Sequence, residues 1–355
     1  MKVAVVGLYW KGHGGAIASA TSYWPALLHW GIEPTFIVMS HRGRPKVSEP
    51  VQDSIPVTHV KFKDAAEFIN SGGFELVHFW TMGETSDKEG KHLEILEEID
   101  VPWMFTIRAP NDFKRYKFWE DMVLTGDFRG SGFISERLRR YAISKHPEYF
   151  NEDNTVATEC TLLPDLVDIP DLSVKEKLVV QHSRLASIKR PHLTVEMAAE
   201  LLVGGVDAVR IYGETGFYHY AEKLKAMDNY DLCEWPGKFE LTDVGQVLRP
   251  AMFDVDFTQH GPHDGERPQN TTLEAMAYGA IPVLQDQWVC DEMQDMRNVI
   301  AVRDGHEAED AIPKILEVLD HPTLFKEMVE NNRKFVPLWF KKSKKLPEFY
   351  RRIVA

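Results

Sequence analysis

The feature that most restricts the fold is a regular alternation of short apolar runs with amphipathic stretches, which occurs twice along the chain. In the first half, the runs predict strands at Val3–Leu8, Thr35–Ser40, Leu76–Trp80, Trp103–Ile107 and Gly132–Ser135. Between them, Ala16–Trp30 and Lys91–Ile99 carry apolar residues three and four positions apart, as helices do. Strands that alternate with helices indicate an α/β fold with a parallel sheet.

The alternation restarts after a stretch rich in proline and aspartate, LPDLVDIPD at 163–171, where we place an interdomain linker. The second half predicts strands at Leu178–Gln181, Val209–Tyr212, Phe253–Thr258 and Ile281–Gln285. It also predicts a helix that begins at Pro191 and helices at Tyr218–Met227 and Thr272–Tyr278. With 355 residues, the chain is long enough for two domains, each with its own core.

The charge, the cysteines and the apolar runs of the sequence exclude several classes of protein. Acidic residues number 54 against 41 basic ones, so a net charge of −13 argues against a generic polyanion binder but leaves room for a local basic patch. The three cysteines (Cys160, Cys233, Cys290) lie far apart, which excludes a disulfide scaffold and fits a reducing compartment. The sequence has neither a signal-peptide pattern nor a run of 18 apolar residues, so we expect a cytoplasmic protein without a membrane span.

A glycine-rich loop, GLYWKGHGGA at 7–16, follows the first predicted strand and precedes a helix. Glycines allow close approach of a phosphate, and a helix N-terminus favours an anion. The dinucleotide fingerprint does not fit, because Tyr9 stands where a glycine is required, and no GK[ST] follows as in a P-loop. The loop is either a phosphate contact or an ordinary tight turn.

Two cations, Arg184 and Lys189, lie in the loop between a predicted strand and the helix at Pro191. The planar guanidinium of arginine offers paired N–H donors, and the ammonium of lysine is a compact charge. Together they can neutralise a diphosphate. A solvated basic loop would show the same pattern.

Two carboxylates are spaced as E-x7-E, with Glu266 in a loop and Glu274 in the first turn of a predicted helix that ends at Gly279. Thr271-x-x-Glu274 also matches a capping box, and Glu266 could be a surface acid.

In this order, the motifs resemble those of the GT-B glycosyltransferases, and within them glycosyltransferase family 4. The resemblance covers nearly the whole chain and is most specific from 160 to 290. Its elements are Gly14-Gly15, Leu76-Val77-His78, ISERL at 134–138, LPDLVD at 163–168, Arg184-Leu185 with Lys189 (similar to RLxxxKG), IYGETG at 211–216, WPGK at 235–238, and E-x7-E followed by AMA-x-G-x-PV. The family implies two facing Rossmann-like domains with an interdomain cleft.

The resemblance also implies which part of the chain binds the acceptor and which binds the nucleotide sugar. Residues 1–168 would form the acceptor-side domain, residues 169–335 would bind the nucleotide sugar, and a C-terminal helix of about 336–355 would pack back on the first domain. The residues that would hold the donor diphosphate are Gly14, Gly15, Arg184, Lys189 and the amides of Asn270, Thr271 and Thr272.

The remaining donor contacts are implied in the same way. Glu274 would accept hydrogen bonds from the ribose, and Glu266 would bind sugar hydroxyls beside the anomeric carbon. The backbone near Gly237 and Lys238 would read the base. We therefore take Glu266, Arg184 and Lys189 as the catalytic residues.

The sequence departs from the family pattern at two places. Arg267-Pro268-Gln269 replaces the usual glycine-rich stretch after the first glutamate, and Arg108 stands where the family often has a histidine. His13 and Asp112 are therefore candidates for a polar role on the acceptor side.

Two patterns resemble metal sites. Asp254-Val255-Asp256 spells the D-x-D of the other glycosyltransferase fold, but it lies within an apolar strand-like run and is interpreted as structural. His260, His263, Asp264 and Glu266 are spaced like metal ligands, although the matching region of the family is a metal-free donor loop. We expect an enzyme that needs no metal and no cofactor besides its nucleotide-sugar donor.

Basic residues concentrate between 108 and 145, where nine cations meet five acids. The cations are Arg108, Lys114, Arg115, Lys117, Arg129, Arg137, Arg139, Arg140 and Lys145, and the interleaved aromatics are Phe113, Tyr116, Phe118 and Trp119. Such a patch suits nucleic-acid phosphates with base stacking, or anionic lipid, or is a solvated helix face over an aromatic core. Lys114, Arg115 and Lys117, with Arg108, are the acceptor-side candidates.

Together, the residues and the resemblance predict a retaining glycosyltransferase that moves a sugar from a nucleotide sugar, with UDP expected, to an acceptor hydroxyl. A glycan, lipid or small-molecule hydroxyl is one acceptor class. Another is a hydroxymethylated base in duplex DNA, as in bacteriophage glycosyltransferases of this fold, which would place the enzyme in the host cytoplasm. A nucleotide-sugar epimerase with two similar domains and a non-catalytic nucleotide-binding protein are the alternatives.

Overall fold

The computed structural model describes residues 1–7, 23–40, 57–81, 91–107, 119–158, 161–162, 167–183, 185–214, 218–239, 243–259, 261 and 263–355. They divide into two compact units. The first comprises Met1–Thr161, Gly261–Asp264 and Lys341–Ala355, and the second comprises Leu162–His260 and Gly265–Phe340. The change of unit immediately precedes the predicted linker at 163–171. Within that stretch, the Asp168 amide already donates to the Ala277 carbonyl of the second unit, 2.9 Å away.

The first unit is built on a parallel sheet of seven strands in the order β3-β2-β1-β4-β5-β6-β7. The strands are β1 (Lys2–Gly7), β2 (Glu33–Ser40), β3 (Val57–Lys61), β4 (Leu76–Thr81), β5 (Trp103–Ile107), β6 (Phe128–Phe133) and β7 (Thr155–Ala157). The helices are α1 (23–29), α2 (Ala65–Ser71), α3 (Lys91–Glu98), α4 (Trp119–Val123) and α5 (Glu136–Lys145). All residues of β5 are buried, as expected for a parallel sheet covered on both faces.

The predicted strand Gly132–Ser135 is wrong in its bounds. The strand ends at Phe133, because Ser135 is the N-cap of α5 and its hydroxyl accepts the Leu138 amide at 3.1 Å. β3 and β7 have no counterpart among the predicted strands. Both are short, and β3 is only half-buried, so neither forms a clear apolar run.

The second unit repeats the architecture with six parallel strands in the order β10-β9-β8-β11-β12-β13. The strands are β8 (Glu176–His182), β9 (Ala208–Tyr212), β10 (Glu234–Gly237), β11 (Ala251–Asp256), β12 (Ile281–Gln285) and β13 (Ile300–Val302). The helices are α6 (Pro191–Val203), α7 (Tyr218–Lys225), α8 (Val244–Leu248), α9 (Asn270–Ala277) and α10 (Glu307–Asp320). Pro191 occupies the first turn of α6, as predicted.

The order of the second sheet places a switch point between β8 and β11. The chain runs outward from β8 through β9 to β10, then returns to β11 on the other side and runs outward again. The connections after β8 and β11 therefore leave the sheet in opposite directions. A crevice at the carboxyl ends of two such strands is where α/β sheets bind ligands.

The C-terminal segment joins the first unit. α11 (Pro322–Lys342) leads to α12 (Lys345–Val354), and residues from Lys341 onward group with the N-terminal sheet. The buried Tyr350 hydroxyl hydrogen-bonds His78 Nδ1 on β4 at 2.5 Å, and His78 Nε2 meets Thr106 Oγ1 on β5 at 2.7 Å. This buried contact ties α12 to the centre of the sheet.

Across the portion of the chain that the structure describes, no helix combines the length and apolar character that a membrane crossing requires.

Candidate functional site

Polar side chains gather at the carboxyl ends of β8 and β11, on either side of the switch point, together with the start of α9. His182 ends β8, and Asp254 and Asp256 lie near the end of β11. Residues two apart on a strand project to the same face, so Asp254 and Asp256 lie side by side. Glu274 lies on α9, which follows the connection from β11.

His182 lies between two carboxylates. Its Nδ1 is 2.7 Å from Asp254 Oδ1 and its Nε2 is 3.1 Å from Glu274 Oε2. A neutral imidazole has one N–H, so two acceptor partners require both nitrogens to be protonated. With both carboxylates ionised, the buried ring is an imidazolium.

The electrostatics of this trio agree with its geometry. Burial disfavours a charged His182 ring, but the charges and hydrogen bonds of Asp254 and Glu274 outweigh burial and raise its pKa to about 10. Burial raises the pKa of Asp254, while His182 opposes that rise. We place the proton on the imidazole, because two carboxylates stabilise its charge, whereas a charge on Asp254 is stabilised by His182 but opposed by Asp256 and Glu274.

Asp256 is the centre of a second cluster. Its Oδ2 accepts from Lys189 Nζ at 3.3 Å and from Thr271 Oγ1 at 2.6 Å, and its Oδ1 accepts from the amide and hydroxyl of Thr258. Burial opposes ionisation of Asp256, but Lys189 and these hydrogen bonds outweigh it and hold its pKa below the usual range. Both acids of the D-x-D pattern are thus buried and bound to protein side chains, consistent with the structural interpretation.

The helix N-terminus beside Lys189 lacks a side-chain cap. Gln269 is the N-cap of α9 and makes no capping hydrogen bond; its Oε1 accepts instead from Lys189 Nζ at 3.3 Å. The alternative interpretation of Thr271 and Glu274 as a capping box is wrong, because Gln269 and not Thr271 is the N-cap; Thr271 donates to Asp256 and Glu274 accepts from His182. An uncapped N-terminus next to an ammonium group is suited to an anion such as a phosphate.

Several buried polar atoms at this helix end have no hydrogen-bond partner among the described residues. They are Gln269 Nε2, Asn270 Oδ1 and Thr272 Oγ1. Unsatisfied buried groups are costly and infrequent in folded proteins. Three of them at one helix terminus are consistent with a polar ligand that completes their hydrogen bonding.

The turn that carries Lys189 is held from several sides. The Lys189 carbonyl accepts from Gln181 Nε2 at 3.1 Å, and Gln181 Oε1 in turn accepts from Thr194 Oγ1 at 2.7 Å. The next residue, Arg190, has a left-handed backbone (φ 50°) and pairs with Asp304 and Glu307 at 2.8 and 2.7 Å. The position of the Lys189 ammonium is therefore set by both its backbone and its side-chain partners.

Glu266 is exposed and also has a left-handed backbone, with φ 54° directly after Gly265 at φ 101°. This conformation is costly for a residue with a side chain and is concentrated at functional sites. The Glu266 amide donates to the Gln287 carbonyl at 2.8 Å, and the buried Arg267 lies over the Trp288 ring, 5.2 Å from its centroid. The loop thus presents the Glu266 carboxylate from an anchored backbone.

Gly237 ends β10 with φ 88°, and its carbonyl accepts the Gly213 amide at 2.8 Å. A side chain at Gly213 would place its Cβ 2.0 Å from the Ser183 carbonyl, so only glycine allows the connections after β8 and β9 to pack together. Lys238 is exposed next to this junction. The base-reading role of Gly237 and Lys238 stays a prediction.

Nine of the predicted site residues lie outside the described part of the chain. They are His13, Gly14, Gly15, Arg108, Asp112, Lys114, Arg115, Lys117 and Arg184. His260, one of the four residues spaced like metal ligands, lies outside it as well. In the remainder, no cluster of three or more His, Cys, Asp or Glu side chains has an arrangement that could hold a metal ion.

The described part of the basic patch is partly neutralised. Arg139 pairs with Glu136 and Glu152, both at 2.7 Å, and Arg129 pairs with Asp127 at 2.6 Å. Among the aromatic residues of the patch, Trp119 is only 4% exposed and stacks in the core against Phe150, so the prediction of base stacking is wrong for this residue. Because they are paired, Arg129 and Arg139 are less suited to bind nucleic-acid phosphates than a cation without an acidic partner would be.

His182 is not among the site residues predicted from the sequence. The apolar run predicts a strand at Leu178–Gln181, and the polar pair Gln181-His182 at its end is the signal that could have identified the site. Asp254 was noted as part of a D-x-D pattern, but its partner lies 72 positions away.

Comparison with known proteins identifies the fold. Neither a protein-family profile nor a curated protein sequence matches the chain. Among solved structures, an alpha-glucosyltransferase in complex with UDP and a 13-mer DNA containing an HMU base is similar with a TM-score of 0.78, 12% identity and full coverage of both chains. The UDP complex of HepE (Alr3699) from Anabaena matches with a TM-score of 0.73 and 12% identity, over 98% of this chain and 99% of that one.

A glycosyltransferase from Rickettsia africae ESF-5 matches with a TM-score of 0.72 and 14% identity, over 100% of this chain and 98% of that chain. Two parallel-sheet α/β units, of seven and six strands, match these structures over nearly their whole length. The predicted fold class is confirmed: the chain has the fold of the GT-B glycosyltransferases.

Proposed function

We propose that the protein is a glycosyltransferase that moves a sugar from a UDP-sugar to an acceptor hydroxyl, with retention of the anomeric configuration. The observation that carries this proposal is the pairing of Lys189 with the uncapped N-terminus of α9 at the switch point, one turn from Glu274. Similar folds bound to UDP support the choice of donor. The order of the motifs is our reason for placing the chain near glycosyltransferase family 4.

In the proposed reaction, the bond between the anomeric carbon and the β-phosphate oxygen breaks, and a bond to the acceptor oxygen forms on the same face. The acceptor proton passes to the departing phosphate oxygen. Lys189, Arg184 and the amides at the start of α9 stabilise the charge that develops on the diphosphate. Glu266 binds sugar hydroxyls, and Glu274 binds the ribose.

No protein nucleophile and no metal enter this scheme. Positive charge and helix amides supply the stabilisation that a divalent cation would otherwise provide. Asp254 and Asp256 would be the metal ligands in a metal-dependent mechanism, but they are hydrogen-bonded to His182 and Lys189.

A hydroxymethylated base in DNA is the acceptor that we favour. A similar fold bound to DNA with an HMU base supports it. So does the segment 108–118, which carries four cations and one acid between aromatic residues. A glycan or small-molecule hydroxyl is the competing acceptor.

The function is tested by incubation of the protein with a panel of radiolabelled nucleotide sugars, with and without DNA that contains hydroxymethylated bases. We expect transfer from one UDP-sugar, with product of retained configuration by NMR. Glu266→Gln should lower kcat/KM about 10- to 100-fold, because one hydrogen bond to a charged group is lost. The exposed Glu327→Gln on α11 is the matched control. If no donor is consumed and UDP does not bind, the protein is not a UDP-sugar glycosyltransferase.

A further inference from the structure

The trio of His182, Asp254 and Glu274 extends from the core of the second unit to the proposed donor site. The side chains of His182 and Asp254 are 2% and 1% exposed, whereas that of Glu274 is 21% exposed. Asp254 lies on a central strand whose residues are all buried. The trio therefore has a buried, fixed end and a partly exposed end.

The direction of the hydrogen bonds shows how the trio can hold the Glu274 carboxylate in a fixed orientation. The imidazolium donates from Nδ1 to Asp254 and from Nε2 to Glu274, so one oxygen of the Glu274 carboxylate is held by a buried donor. A carboxylate has several lone pairs to offer. The second oxygen, Oε1, has no hydrogen-bond donor among the described residues and can accept from a ligand hydroxyl in a defined orientation.

We propose that His182, held by Asp254, is a positioning residue that fixes the Glu274 carboxylate to accept a hydrogen bond from a ribose hydroxyl of the donor. The inference rests on the proposed function, since it assumes that the donor nucleoside meets Glu274. It adds to that function a buried pair of residues that makes no contact with the donor but determines how tightly the donor binds.

The proposal makes donor affinity depend on the charge of His182. Within the described residues, two charged groups act directly on the ring, Asp254 from β11 and Glu274 from α9; Asp256 is adjacent to Asp254 on the same strand. With both carboxylates present, the pKa of about 10 keeps the ring protonated through neutral pH. Without the Asp254 charge, burial lowers the pKa and only Glu274 opposes it, so the ring loses its proton as the pH rises through neutrality.

The test is Asp254→Asn, with UDP affinity measured by calorimetry from pH 6 to 8.5 in parallel with the wild type. The ratio of the two dissociation constants cancels the titration of UDP itself. We expect this ratio to rise several-fold or more across the range, because His182 in the variant becomes neutral and its hydrogen bond to Glu274 is no longer charge-assisted. A His182 that served only folding would lower the melting temperature and leave the ratio flat.

A second measurement covers the case in which Asp254→Asn fails to fold. In wild-type protein labelled with ¹⁵N-histidine, the His182 signal, assigned with His182→Asn or by its hydrogen bonds, should show two protonated nitrogens up to pH 8.5. It should also shift when UDP binds. Titration of His182 below pH 8, or a flat ratio in a folded variant, overturns the proposal. A wild-type protein that does not bind UDP instead rejects the proposed function, on which the inference depends.

Discussion

Lys189 illustrates how one side chain can serve both the fold and the site. Its ammonium lies between the buried Asp256 carboxylate and the Gln269 amide oxygen, at 3.3 Å from each. Removal of one partner of a buried pair leaves the other charge uncompensated. The same ammonium stands next to the helix N-terminus where we place the diphosphate.

Lys189→Met should therefore have two separable effects. UDP affinity should fall about 10- to 150-fold, equivalent to about 1.5–3 kcal/mol for a charge-assisted contact. The free energy of unfolding should also fall, because Asp256 loses its counter-charge. In Lys189→Met/Asp256→Asn, stability should recover while UDP affinity stays low.

Calorimetry with UDP and urea denaturation measure the two effects. Lys177→Met, at an exposed lysine of the same unit, is the matched control. If UDP binds Lys189→Met as tightly as the wild type, the diphosphate lies elsewhere and Lys189 is only the counter-ion of Asp256.

The residues of the site were predictable from sequence only where a local pattern marks them. E-x7-E and the Arg–Lys loop are spacings that can be read along the chain. The contacts of His182 with Asp254 and Glu274 join positions 72 and 92 apart, and no local pattern contains them. The capping-box alternative fails because the helix begins at Asn270, two residues earlier than predicted, so Thr271 lies inside the helix and Gln269 is its N-cap.

Helices and strands were predictable in proportion to their burial. Trp103–Ile107 and Ile281–Gln285 were predicted with the bounds that the structure gives them, since fully buried parallel strands form continuous apolar runs. β3, β7, β10 and β13 were not predicted as strands. Each lies at the edge of its sheet, and each is short or only partly buried, so the apolar signal is weak.

Lys175 shows how three elements of the second unit are joined next to the site. Its ammonium donates to the carbonyls of Leu248, Ala251 and Tyr278, at 3.1, 2.8 and 2.8 Å. These carbonyls lie at the end of α8, the start of β11 and the end of α9, and a cation is favoured at helix C-termini. Lys175 thus fixes the far end of the helix whose N-terminus we assign to phosphate.

Lys175→Met should lower the free energy of unfolding by about 1–3 kcal/mol at pH 8, because buried carbonyls lose the N–H donors that the amino group supplies whether it is charged or neutral. Burial lowers the pKa of Lys175 to about 7, so between pH 7 and about 10 the unfolded chain binds more protons than the folded one. The contribution of Lys175 to stability should therefore increase as the pH rises through that window, by up to about 1.4 kcal/mol per pH unit.

Urea denaturation of the wild type, Lys175→Met and the exposed-site control Lys177→Met at pH 7, 8 and 9 measures this dependence. A difference between wild type and Lys175→Met that stays constant with pH would show that the ammonium keeps its proton in the folded state.

Considered as a whole, the molecule is acidic, and its basic residues are unevenly distributed. The net charge is −13, yet 108–118 carries Arg108, Lys114, Arg115 and Lys117 against a single acid, Asp112. Farther along the patch, Arg129 and Arg139 are already paired with acids. An acidic protein that modifies DNA would need such a local concentration of cations to overcome repulsion from phosphate.

Charge reversal at Lys114, Arg115 and Lys117 should abolish transfer to hydroxymethylated duplex DNA and leave UDP affinity unchanged. Each lost phosphate contact should reduce the slope of log affinity against log salt by about one. The matched control reverses three exposed lysines of α11, Lys326, Lys334 and Lys341, and so changes the net charge equally. DNA binding across a salt series and transfer with the identified UDP-sugar are the measurements.

Equal losses in both triple variants would assign the effect to net charge rather than to a DNA site. Full transfer to DNA by the 114/115/117 variant would place the acceptor elsewhere. Transfer by the wild type to a glycan or small molecule but never to DNA, even at low salt, would identify the competing acceptor class.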